Sequence, residues 1–116
     1  MSDPVVIVSV ARTPIGSMVG ELSGFAGHQL GSHAIRAAVS RAGIAPEQVQ
    51  EVIMGCVLPA GQGQAPARQA TLGAGLPRST GATTINKVCG SGMKAAMFAH
   101  DLLMAGSQEI VVAGGM

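Results

Sequence analysis

The chain has 116 residues, 47% of them apolar, which suits a single domain with a core of its own. Only 11% are charged, and the seven basic and six acidic residues leave a net charge of +1 with no cluster able to track a phosphate backbone, which argues against a nucleic-acid partner. No stretch nears the roughly 18 apolar residues of a membrane span, and so low a charge in a small chain points to a surface covered by further protein, either a missing part or another subunit.

In chain order, the β-branched run from Val5 to Val10 reads as a strand buried on both faces, ended by Arg12-Thr13-Pro14-Ile15-Gly16. After a Gly-rich loop, Leu30 to Ala42 reads as a helix, with Ile35, Ala38, Val39 and Ala42 on one apolar stripe and Gly43 as its stop. Pro46-Glu47 opens a short helix, because proline suits the first helical position and a carboxylate suits the positive end of the dipole. A second strand begins at Val52-Ile53-Met54. Pro59 to Ala65 reads as a loop, and Pro66 starts a helix ending near Gly73 or Gly75.

A third strand is expected from Ala82 to Val88, broken by Gly90-Ser91-Gly92. Helical spacing resumes from Met93 to Ala105, with Met93, Ala96, Met97, His100 and Met104 on one face, read as core packing, and Gly106 as the stop. Glu109 to Ala113 is a last strand. The alternation indicates an α/β layered sheet, and no internal repeat is present. The reading treats residues 1–116 as one incomplete domain, because no closing element follows the last strand.

Two cysteines, Cys56 and Cys89, lie 33 positions apart with no CxxC or Cys/His spacing, so neither a metal site nor a redox pair is read. The N-terminus has no basic flank before an apolar segment and no Arg-rich amphipathic start, so no signal or transit peptide is evident. A cytoplasmic address with both thiols free is the expectation.

Cys89 falls where a strand gives way to a Gly-Ser-Gly turn and a helix. That position stabilises a thiolate, because unpaired amides and the positive end of the dipole face it. The flanking glycines leave room for a carbonyl to approach backbone amides acting as an oxyanion hole. A free Cys beside Gly is also, and more often, a small buried residue in a tight turn, so local spacing leaves both readings open.

The run Asn86-Lys87-Val88-Cys89-Gly90-Ser91-Gly92-Met93-Lys94-Ala95 closely resembles the acyl-enzyme motif of the thiolases, in particular their acetyl-CoA acetyltransferase branch. Val10-Ala11-Arg12-Thr13-Pro14-Ile15-Gly16, Gly63 to Ala70 and Ile110 to Met116 resemble the family's opening strand, second helix and the strand after the nucleophile's helix. The resemblance implies the N-terminal portion of the thiolase-type layered αβαβα fold, a mixed sheet flanked by helices. It also implies that Cys89 is the catalytic nucleophile of an acyl-CoA acyltransferase. Such an enzyme forms acetoacetyl-CoA from two acetyl-CoA, or thiolyses a 3-ketoacyl-CoA, through an acyl-cysteine.

By the same resemblance, coenzyme A thioesters are substrates, no metal or redox cofactor is needed, and the intact protein is a homo-oligomer. The strand leading into the nucleophile would lie at the dimer contact. The family's activating His and second Cys belong to a C-terminal half, expected beyond Met116. Within this sequence, His28, His33 and His100 read as surface or packing residues, and Cys56 as a small core or interface residue. Lys94 and Arg68 read as surface or salt-bridged charges. Two rivals remain: a ketoacyl synthase of the same superfamily, against which Val88 and Gly90 argue, and a truncated, non-catalytic binding fragment.

Overall fold

The computed structural model describes residues 3–116, in which helices and strands alternate. They are α1 (Gly27–Ala42), β1 (Glu51–Gly55), α2 (Pro66–Gly73), β2 (Gly81–Ile85), α3 (Ser91–Met104) and β3 (Val111–Gly115), with a turn of 3₁₀ helix at Pro46–Gln48. α1 begins three residues earlier than its apolar stripe indicates, because the Gln29 side chain accepts the Ala26 N–H at 2.8 Å and secures an orphan donor of the first turn. It ends as expected: Gly43 takes a left-handed φ of 70° and donates its N–H to Ser40 O.

β1 is the central strand, with β2 on one side and β3 on the other, in the order β2-β1-β3. All pairings are parallel, Glu51 standing opposite Gly81 and Val111, so these three strands lack the antiparallel pairing of the expected mixed sheet. The connections explain the layering. From β1 to β2 the chain steps one way, and from β2 to β3 it steps back past β1. Right-handed crossovers in opposite directions place their helices on opposite faces, which puts α2 on one side and α3 on the other.

β1 therefore carries apolar residues on both faces, as an interior parallel strand must. Val52 and Met54 pack with Ile35 and Val39 of α1 and Ala67 and Ala70 of α2, while Ile53 faces Ala95 and Ala99 of α3. Full burial of Val52 and Ile35 contributes about 1.5–3 kcal/mol each. α1 and α2 approach closely at small residues, where the buried Ser32 hydroxyl reaches Ala70 O at 3.0 Å and His28 O at 2.9 Å.

Two expectations about burial do not hold. Val5 to Val10 is neither a strand nor buried: Ile7 is 85% exposed, and Val6, Val8 and Val10 are exposed with it. No strand among the described residues pairs with it, and it lies along α1, tied by Ser9 Oγ to Ala38 O and by Arg41 to Val10 O. Strand propensity without a pairing partner does not make a strand. The methionine stripe of α3 also faces outward, with Met93, Ala96, Met97, His100 and Met104 all exposed, because α3 meets the sheet through the small side chains of Ala95 and Ala99. α3 thus has a second, exposed apolar flank at Met93, Met97 and Met104 besides the alanine stripe that meets the sheet.

The closeness of α3 to the sheet generates a test. A methyl group at Gly55 would lie 2.5 Å from the Ser91 carbonyl carbon and 2.8 Å from Gly92 N, both rigid backbone. Gly55→Ala should destabilise the fold by about 1–3 kcal/mol in denaturant unfolding, whereas Gly24→Ala, with nothing within 4 Å, should stay within about 0.5 kcal/mol of the parent.

Candidate active site

The carboxyl ends of β1 and β3 meet the first turn of α3. This is the edge of a parallel sheet where α/β proteins hold their ligands. β2 stops at Ile85, three residues before the expected end, because Asn86 to Gly90 form a tight turn that carries Cys89 into α3. The turn is held by hydrogen bonds. Lys87 N–H donates to Ser91 Oγ at 2.8 Å, Ser91 Oγ donates to Val88 O at 2.6 Å, and Val88 N–H donates to Asn86 Oδ1 at 2.8 Å. Asn86 Nδ2 in turn reaches Val57 O at 3.4 Å, joining the turn to the segment leaving β1.

The left-handed residue of the turn is a surprise. Gly90, the residue best suited to positive φ, has φ −88° and serves as the N-cap of α3, while Val88 takes φ 49°. The sequence marks the glycines as the break after the strand but does not mark Val88, Asn86 and Ser91 as the parts that shape the turn. A serine opening a helix is a legible signal, but it gives no hint that its hydroxyl reaches back to two residues.

Cys89 is exposed, next to the N-cap of α3. The backbone amides expected as oxyanion donors are only partly available, since Gly90 N–H is bonded to Lys87 O at 3.0 Å and Ser91 N–H to Val88 O at 3.2 Å. The next amides of the helix, those of Gly92 and Met93, have no carbonyl a turn earlier within the helix and are the donors a helix start offers.

The other candidates stand apart. His28 and His33 are on α1, across the sheet from α3, and His33 stacks edge-on against Phe25 at 6.2 Å. His100 lies nine residues along α3 from Ser91, about 14 Å at the helical rise, beside Asp101. Cys56 is buried at the end of β1, where Gln62 Nε2 reaches its sulfur at 3.6 Å. Arg68 is not salt-bridged: it binds the carbonyls of Thr80 and Arg78, closing the loop into β2. Lys94 sits over the Phe98 ring at 4.8 Å.

A groove of about 340 Å³ between α1 and the segment around Arg12 holds His33, Phe25 and Arg41, but no nucleophile. Among the described residues no group of His, Cys, Asp and Glu is arranged to hold a metal ion, and no helix is long and apolar enough to cross a membrane.

Exposure separates the two thiols. Iodoacetamide applied briefly to the native protein should alkylate Cys89 and spare Cys56, and both should react once the protein is unfolded, as read by peptide mass spectrometry. Equal labelling of the two in the native state would contradict this placement.

Residues 5–116 match the family Thiolase, N-terminal domain. Acetyl-CoA acetyltransferase B, mitochondrial, of Xenopus laevis is 65% identical over 97% of this chain, and the human acetyl-CoA acetyltransferase, mitochondrial, is 62% identical over the same share. The chain spans 27% and 26% of the length of these two relatives. In structure it resembles the Acat5 thiolase from Ascaris suum, solved in complex with coenzyme A, with a TM-score of 0.92 and 38% identity over 94% of this chain and 28% of that one. The mitochondrial relatives overturn the cytoplasmic address, which rested on seeing no leader; that observation excludes no compartment. With the match over nearly its whole length and the thiolase layering of its sheet and helices, the chain belongs to the thiolase family as its N-terminal domain.

Proposed function

We propose that this domain supplies the nucleophile of a coenzyme A-dependent acyltransferase, with Cys89 taking the acyl group from an acyl-CoA. The observation that carries the reading is the placement of Cys89: an exposed thiol at the carboxyl edge of a parallel sheet, on a hydrogen-bonded turn directly before a helix N-terminus. The kinship with acetyl-CoA acetyltransferases supports acetyl-CoA as the substrate, and the likeness to a thiolase solved with coenzyme A supports a thioester carrier.

The first step balances without any co-reactant. The Cys89 sulfur attacks the acetyl carbonyl carbon and a new thioester bond forms. The carbon–sulfur bond to coenzyme A breaks, its electron pair stays on the coenzyme A sulfur, and that sulfur takes up the proton given up by the Cys89 thiol. One thioester replaces another, so the step needs little driving force. It does need the negative charge on the carbonyl oxygen to be met by aimed donors, the role the open amides of the first turn of α3 are suited to play. Carbon–carbon bond formation with a second acetyl-CoA, or thiolysis in reverse, then requires a base at the α-carbon. None of the three histidines stands on the Cys89 turn, so the reading assigns that base to the portion of the relatives' length this chain does not span.

The test uses the protein at the full length of its relatives. Incubation with acetyl-CoA should leave an acetyl group on Cys89, found by peptide mass spectrometry, and Cys89→Ala should lower acetoacetyl-CoA thiolysis by on the order of 10³-fold or more. Cys56→Ala, changing a buried side chain away from the turn, should retain most of the turnover. Turnover that survives Cys89→Ala would refute the assignment and favour a binding role for this domain.

A further inference from the structure

Val88 sits in a conformation that β-branched residues rarely adopt, and its side chain does nothing to keep it there. At 65% exposed, it has too little packing to offset the strain of φ 49°. Both polar groups of its backbone are instead held by side chains, the carbonyl also accepting the Ser91 N–H at 3.2 Å. Asn86 Oδ1 accepts its N–H at 2.8 Å, and Ser91 Oγ donates to its carbonyl at 2.6 Å while accepting the preceding N–H, that of Lys87, at 2.8 Å. The peptide units on either side of Val88 are thereby pinned, and the next residue is Cys89. Ser91 is only 3% exposed and lies against the backbone at Gly55, so its hydroxyl acts within the turn rather than on a bound molecule.

We infer that Ser91, together with Asn86, is a positioning residue for the acyl transfer: it holds Val88 left-handed and so presents the Cys89 thiol in front of the first turn of α3. The inference rests on the nucleophile reading above. Without the Ser91 hydroxyl, Val88 relaxes toward the extended region its side chain prefers, and the thiol moves relative to the helix amides. A displacement of about 1 Å at a reacting atom costs up to about a hundredfold in rate.

The experiment measures the rate constant for acetylation of Cys89 by acetyl-CoA in the full-length protein, by rapid quench and mass spectrometry. Ser91→Ala should slow acetylation by on the order of 10- to 100-fold with little change in KM for acetyl-CoA. Adding Val88→Gly should restore much of the loss, because glycine occupies positive φ without strain. A serine needed only for stability would lower the melting temperature instead, and a second, glycine substitution would not bring the rate back. If Ser91→Ala does not fold, Asn86→Ala, at an exposed position, should show the same loss and the same rescue. A wild-type rate in Ser91→Ala or in folded Asn86→Ala, or a double variant no faster than the single, overturns the inference and leaves the nucleophile assignment standing. Failure of the wild-type protein to acetylate Cys89 overturns the assignment itself, and this inference with it.

Discussion

The first turn of α3 rests directly on the carboxyl ends of β1 and β3, and the rest of the arrangement depends on that contact being made backbone to backbone. Gly55 leaves no room for a side chain beneath Ser91, and a methyl group on Gly115 would stand 3.2 Å from the Gly92 Cα. Interiors are packed to crystal-like density, so an extra carbon here would lift the helix from the sheet. With glycine at these positions the helix axis starts low over the sheet, Ala95 and Ala99 settle against Ile53, and the residue just before the helix is carried to the sheet's open edge. The height of α3 above the sheet thus decides where Cys89 stands.

The same contact bounds the strained turn that carries Cys89. β2 ends at Ile85, and five residues, Asn86 to Gly90, turn the chain from the strand into a helix whose start is seated on Gly55. One residue of the turn lies outside the extended and helical regions, and it is Val88 rather than a glycine. Gly90 is left in an ordinary conformation, with space over it: a Cβ there would meet only Lys87 O, at 3.5 Å. The surface beside Cys89 is therefore open.

The exposed apolar features share one physical cause. The extended run along α1 and the methionine flank of α3 are surfaces that, in water, favour cover. Both belong to a chain that spans about a quarter of the length of its acetyltransferase relatives, and both lie on elements already satisfied on their other side by the sheet or by α1. Methionine suits such a surface, since its flexible, polarisable side chain adapts to whatever packs on it.

Local signals in the sequence were enough for much of this. Proline at Pro46 and Pro66, glycine at Gly43 and the continuous apolar reading of Val52-Ile53-Met54 each act over a few residues, and each marks an element that the structure contains. The candidate nucleophile was legible in the same way, as a cysteine at a strand-to-helix break within a motif resembling that of the thiolases. What the sequence left undecided depends on contacts distant along the chain. Val5 to Val10 has every propensity of a strand, yet it pairs with no strand among the described residues, and pairing is what makes a strand. The apolar spacing of α3 fits two stripes, and only the close seat on Gly55 and Gly115 selects the alanine stripe as the inner one. The left-handed Val88 and the reach of Ser91 and Asn86 around it belong to a turn whose far end is seated on the sheet by packing at Gly55. No propensity of a lone valine, serine or asparagine encodes a distance between a strand and a helix.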